Sequence, residues 1–178
     1  MDKNAILQRQ HKILCNLSAL PQKILSLHDH NNITELVLYS LCGEHCFNLN
    51  KAAYFVDNPD FNCLQGIAGF SRDQKNLGQP DVLQQADYAG EQLRIDPFNK
   101  KVRSMSRCSL KNGVREELAM AQDIAKDLNI ANPQVCVWPM KHDNHGLLIF
   151  EQQKGEVENY PQDYLVNGCS LLGFCPIY

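Results

Sequence analysis

The sequence contains no apolar stretch near the roughly 18 to 20 residues that cross a bilayer as a helix. It also has no surplus of basic charge: 17 Lys and Arg stand against 20 Asp and Glu, a formal charge of −3. The first absence removes a helical membrane span from the expectations. The second leaves no global electrostatic case for nucleic acid or an anionic membrane surface as partner. The common enzyme signatures are missing as well: there is no G-x-x-x-x-G-K-[ST], no G-x-G-x-x-G, no G-x-S-x-G and no H-E-x-x-H. Met1-Asp2-Lys3-Asn4 leads into a polar helical pattern instead of a charged and then apolar leader, so a soluble cytoplasmic protein is expected.

What is present suits one globular domain. A chain of 178 residues with 44% hydrophobic content can build a substantial core. Eight cysteines, at 15, 42, 46, 63, 108, 136, 169 and 175, lie mostly inside apolar helix or strand patterns. That layout fits reduced, small core residues better than a disulfide scaffold.

Ile6, Ile13, Leu17, Leu20, Ile24 and Leu27 recur in steps of three and four or their sum, a heptad seam that predicts a helix over 5–27. Pro21 should kink or restart it. A polar break at 28–32 precedes a second helix over 33–46. Runs at 52–56 and 62–70, separated by Asp57-Asn58-Pro59-Asp60, form a hairpin. Residues 71–100 are broken by glycine and proline, with a short helix over Val82 to Tyr88, and 102–109 reads as a strand of mixed polarity. A helix over 115–128, strands at 134–140 and 146–151, and a helix over 161–174 complete the chain. The fold class is therefore α+β: an antiparallel sheet of five or six strands with flanking helices. Phe55, Leu64, Val135, Val137, Leu148 and Phe150 are the expected core of that sheet.

Three segments of the last third carry a family resemblance. Asn129 to Met140 is similar to a turn followed by an apolar strand ending in Val-Pro-Leu, with Asn129 where glycine is usual and Trp138 for the common valine. Gly146-Leu147-Leu148-Ile149-Phe150 is similar to a "Gly-apolar-Leu" strand, and Tyr160-Pro161-Gln162-Asp163-Tyr164-Leu165 to a "Phe-x-x-Asp-x-x-Leu" opening of a closing helix. With the order of elements, these resemble the GAF-domain family. The resemblance implies a single GAF-like domain over 1–178, acting as a small-molecule sensor in signal transduction.

Four constellations are candidates for chemistry. Cys42, His45 and Cys46 would share one face of a continuous helix at i, i+3 and i+4, a candidate set of metal ligands; the alternative is two core cysteines beside a histidine at the helix end. His142 and His145, on a hairpin connection, could form a lid with His28 and His30, or simply be solvated. Arg94, Lys100, Lys101, Arg103, Arg107, Lys111 and Arg115 stand against Asp96 alone over 94–115. That excess suits either an anion site or a charged edge strand, with Lys101, Arg103, Met105 and Arg107 on one face. Finally, Phe70, Arg103, Cys108 and Trp138 are the candidate ligand-binding residues of a pocket between the sheet and the 71–130 region.

The leading functional expectation is a non-catalytic sensory or regulatory module that binds a small ligand, of unknown identity, and signals through its terminal helices to an output domain, attached or separate. A homodimer through the terminal helices is expected, with 1–30 as the dimerisation element and Pro21 favouring pairing along 5–20 while the rest packs on the domain. A thiol- or metal-dependent redox enzyme or sensor, and a purely structural dimerisation domain, are the alternatives.

Overall fold

In a computed structural model of the chain, which describes residues 3–27, 29–73, 86–110, 114–153 and 160–176, one five-stranded antiparallel sheet organises everything else. In chain order the elements are α1 (Lys3–Ser26), α2 (Ile33–Cys42), β1 (Leu49–Asn58), β2 (Cys63–Ser71), α3 (Ala86–Ile95), α4 (Pro97–Arg103), β3 (Ser106–Arg107), α5 (Val114–Asp127), β4 (Gln134–Pro139), β5 (His145–Gln152) and α6 (Gln162–Ser170), the last continued by a 3-10 turn, Leu171–Phe174. The strands lie side by side as β3-β2-β1-β5-β4. The two hairpins, β1 with β2 and β4 with β5, meet along β1 and β5, whose register sets Tyr54 opposite Leu148 and Phe55 opposite Leu147.

Alternation along the central strands gives each face its own core. Ala52, Tyr54, Val56, Leu148 and Phe150 point to the face covered by α1, α2 and α6. Ala53, Phe55, Leu147 and Ile149 point the other way, against α4 and α5, where Val102, Ala121, Ile124 and Ala125 close over them. Phe55, Leu64, Leu148 and Phe150 are buried as expected. Val135 and Val137 are not: β4 is an edge strand whose inward positions are Cys136 and Trp138, so Val135 is half-buried and Val137 is 36% exposed.

The helix α4 takes the first two residues of the expected strand at 102–109, and most of the rest is irregular. Asp96 accepts the Asn99 N–H at 2.9 Å and Pro97 occupies the first turn, so a capped helix begins ahead of the expected strand and runs into its start. Only Ser106 and Arg107 extend the sheet, paired to Gln65 and Leu64. Two glycines of β2 make the seat. A Cβ at Gly66 would lie 2.0 Å from the Val102 carbonyl oxygen, and one at Gly69 would lie 2.7 Å from the Val102 side chain. Beyond Gln65, the edge of β2 is closed by α4 instead of by another strand. The Gly66 N–H donates to the Met105 carbonyl and the Gly69 N–H to Asn99 Oδ1 at 2.8 Å. The face proposed from alternation is undone: Met105 is buried and Lys101 and Arg107 are exposed.

Two further expectations change. The second helix stops at Cys42, because Gly43 turns extended at φ −65° and ψ 163°. α1 runs through Pro21 without ending, held on both sides of it by burial of Ile13, Leu20 and Ile24. Of the apolar stripe of α1, Ile13, Leu20 and Ile24 belong to the chain's own core, with Leu17 and Leu27 packed against it. The exposed leucines of α1 are Leu7, Leu14 and Leu25. Of the short helix over Val82 to Tyr88, residues 82–85 lie outside the described residues, and α3 begins at Ala86.

Candidate functional site

The four residues expected around one pocket are spread over the molecule. Phe70 is buried on the α1, α2 and α6 side, edge-on to Tyr39 with ring centroids 5.6 Å apart. Trp138 is on the same side but on β4, three strand spacings from β2, about 14 Å at about 4.8 Å each. It stacks on Tyr54 at 5.6 Å and 17°. Arg103 ends α4 and Cys108 is exposed beyond β3. The space between the sheet and α4 and α5 is occupied by Phe55, Leu64, Val102, Ile124, Leu147 and Ile149, all fully buried.

The metal candidates are also parted. Because α2 ends at Cys42, His45 falls in the following turn and faces solvent, while Cys42 and Cys46 are buried. Burial pushes the Cys42 thiol well up and the Cys46 thiol up to about 12. Among the described residues no group of three or more His, Cys, Asp or Glu side chains could hold a metal ion. Cys175, likewise buried, is pushed up to about 12. The Cys169 thiol hydrogen-bonds Cys136, which lowers Cys136 and raises Cys169. His142 is exposed on the β4–β5 connection and His145 at the start of β5, and His28 lies outside the described residues.

The basic segment at 94–115 is largely committed within the fold. Arg103 Nη1 donates to Glu35 Oε1 at 2.5 Å, and Glu35 is buried to 2% side-chain exposure. Asn99, itself fully buried, closes this network by donating to the Leu93 carbonyl at 2.9 Å and to Glu35 at 3.5 Å. Arg107 pairs with Asp127 at 2.9 Å, and Lys101 Nζ donates to the Asp127 carbonyl. Lys111 and the Arg115 side chain lie outside the described residues.

A different set of cations lines an open cleft of about 520 Å³ at the end of the sheet. One wall is α1, through Ala5, Gln8, Arg9 and Lys12, whose i, i+3, i+4, i+7 spacing makes a continuous helical face. The other wall is the turn after α2, with Glu44, His45 and Asn48, together with Arg72 just past β2 and Gln153 just past β5. Arg72 is fixed: Nη2 donates to Asn48 Oδ1 at 2.7 Å, to the Leu49 carbonyl at 3.1 Å and to the Cys42 carbonyl at 3.2 Å, while Nε also donates to Leu49. Its Nη1 lies 3.6 Å from Glu44. Arg9 Nη1 donates to the Glu44 carbonyl, which ties α1 to the turn. Two lining residues, Arg9 and Gln153, each carry a polar atom, Nη2 and Oε1, that is shielded from solvent by the protein and has no hydrogen-bond partner. Buried polar atoms are nearly always paired in folded proteins, so two orphans on residues lining one cleft mark it out.

Sequence reasoning missed this site because its walls come from four separate segments. The legible signal was the polar stripe Ala5, Gln8, Arg9 and Lys12 beside the apolar stripe of the same helix. No family model matches the chain, and no curated protein or solved structure matches it either. No helix among the described residues is long and apolar enough to cross a membrane.

Proposed function

We propose that this chain is a non-catalytic regulatory module, of the GAF kind its sequence resembles, that binds a small molecule in the cleft between α1 and the 43–48 turn. The observation that carries the reading is the cleft itself. Its volume of about 520 Å³ falls within the range of small-molecule sites, and two of its lining residues carry buried polar atoms without partners. An occupant would touch α1 on one side and the ends of β2 and β5 on the other. Occupancy then changes how α1 is held on the domain, and α1 is the element through which the state passes to an output partner. The α+β layout supports the resemblance, and the raised buried thiols argue against a nucleophilic role for Cys42, Cys46 and Cys175.

Ligand-observed NMR with a library of small charged and neutral metabolites tests this, using the wild type and Ala5→Trp, which fills the cleft. Compounds that bind the wild type and are lost in Ala5→Trp are expected. Binding that is identical in the two proteins would contradict a site in the cleft.

A further inference from the structure

Resting on the cleft as the ligand site, we propose that its ligand is a small organic oxyanion, a phosphate or carboxylate, that carries an N–H or O–H donor close to the anionic group. The cleft gathers Arg9, Lys12 and Arg72 against one carboxylate, Glu44. This positive lining belongs to a chain of net charge −3. Arg72 is already committed through Nε and Nη2 to backbone and Asn48 acceptors, and Glu44 stands beside its Nη1, so it builds the back wall. Arg9 is different: one amino group holds the Glu44 carbonyl, and the other, Nη2, is buried without an acceptor. An oxyanion in the cleft that draws the Arg9 side chain outward supplies the acceptor Nη2 lacks, and Lys12, one turn along the same face, adds a second cation.

Gln153 supplies the second half of the argument. Its Oε1 is buried and lacks a donor, and Gln153 lines the same cleft. A bare inorganic anion could answer Arg9 but would offer Gln153 less than a ligand whose hydroxyl or amine reaches the amide oxygen. One organic molecule with an anionic group and a neighbouring donor satisfies both atoms at once. The volume fits a metabolite of that kind. A polyanion such as nucleic acid or a membrane surface would bring its charge against the overall acidic remainder of the chain.

Calorimetric titration distinguishes these cases with four probes: 3-phosphoglycerate, inorganic phosphate, glycerol and vesicles rich in phosphatidylserine. Expected is an affinity order of 3-phosphoglycerate above phosphate, with no binding of glycerol. Arg9→Gln should weaken both anions by about tenfold or more, the loss of one charge-assisted hydrogen bond. Gln153→Leu should remove the advantage of 3-phosphoglycerate and leave phosphate unchanged, whereas Lys141→Gln on the β4–β5 turn should change neither. Melting curves of each variant check that it is folded. Anion binding that survives Arg9→Gln in a folded protein overturns the proposal, as does Arg9-dependent vesicle binding tighter than that of either small anion. If Ala5→Trp abolishes binding of neutral library compounds while no anion binds the wild type, the ligand class fails and the cleft stands. If Ala5→Trp alters the binding of no compound, the cleft fails as well.

Discussion

Arg103 and Arg9 both bridge a helix to another element, yet their surroundings differ in one decisive respect. Arg103 meets a carboxylate, Glu35, that is itself buried and held by the fully buried Asn99. Arg9 meets a backbone carbonyl through one amino group and leaves the other buried and unpaired beside an open cleft. The first arrangement is closed on itself and holds α2 against α4. The second is incomplete without something from outside. A dense run of cations in the sequence therefore marks a structural joint, and three cations scattered over the chain mark the candidate site.

The largest expected effect touches both clusters, because burial dominates the Cys46 and Cys175 thiols while Arg9 lowers the first and Glu35 raises the second. Burial raises the Cys46 and Cys175 thiols from 9.0 in the unfolded chain to about 12 in the fold. Between those values the folded state holds protons that the unfolded state has released, so stability is complete below pH 9 and falls as pH rises toward 12. Urea midpoints measured from pH 7 to 11 should be flat and then decline. A decline that begins well below pH 9 would assign the limb to another group.

Next in size is Gly66→Ala, aimed at the closed side. Its Cβ would sit 2.0 Å from the Val102 carbonyl oxygen, a backbone atom, so α4 must lift from β2. Overpacking of this kind costs about 3 kcal/mol. Because Val102 and Arg103 are neighbours, a chemical-shift map should show the Glu35 network disturbed and the cleft residues unmoved.

How far the sequence revealed these regions follows from what each depends on. The helix periodicities and the two hairpins are local patterns, and α1, α5, β1, β5 and α6 sit close to where apolar spacing put them. The helix α4 was misread because a short amphipathic stretch admits either period. The signal that decides it, Asp96 capping before Pro97, was outweighed by the alternation that followed. Its seat on Gly66 and Gly69 is a tertiary fact with no local signature. Burial of Val135 and Val137 failed for a similar reason: which face of β4 turns inward depends on its being an edge strand beside β5. Of the candidate residues, Phe70 and Trp138 are recognisable as inward-facing aromatics, but sequence cannot say that β2 and β4 are separated by two intervening strands. The cleft needed α1, the 43–48 turn, Arg72 and Gln153 to be brought together, and only the stripe on α1 was visible beforehand.

Arg103→Ala sharpens the contrast of the two arginines. It leaves the Glu35 carboxylate buried with Asn99 as its remaining partner, a loss of about 2–3 kcal/mol given that Arg103 itself is partly exposed. The double variant Arg103→Leu, Glu35→Met should recover most of that loss, and a double variant as unstable as the single one would show that the charge is not the cause. Arg72→Ala comes lower, at about 1–2 kcal/mol, because solvent can replace part of its contacts with Leu49, Cys42 and Asn48. Smallest is Arg9→Gln, within about 0.5 kcal/mol of the wild type in urea unfolding.

The most direct measurement of the account follows the guanidinium Nε–H resonances of Arg9 and Arg103 by NMR while inorganic phosphate is titrated into the protein. The account predicts a saturable shift of Arg9 with Arg103 stationary, since Arg9 retains an unpaired buried donor and Arg103 is committed to Glu35. A shift of Arg103 with Arg9 unmoved would contradict it, and so would an Arg9 resonance that phosphate never moves.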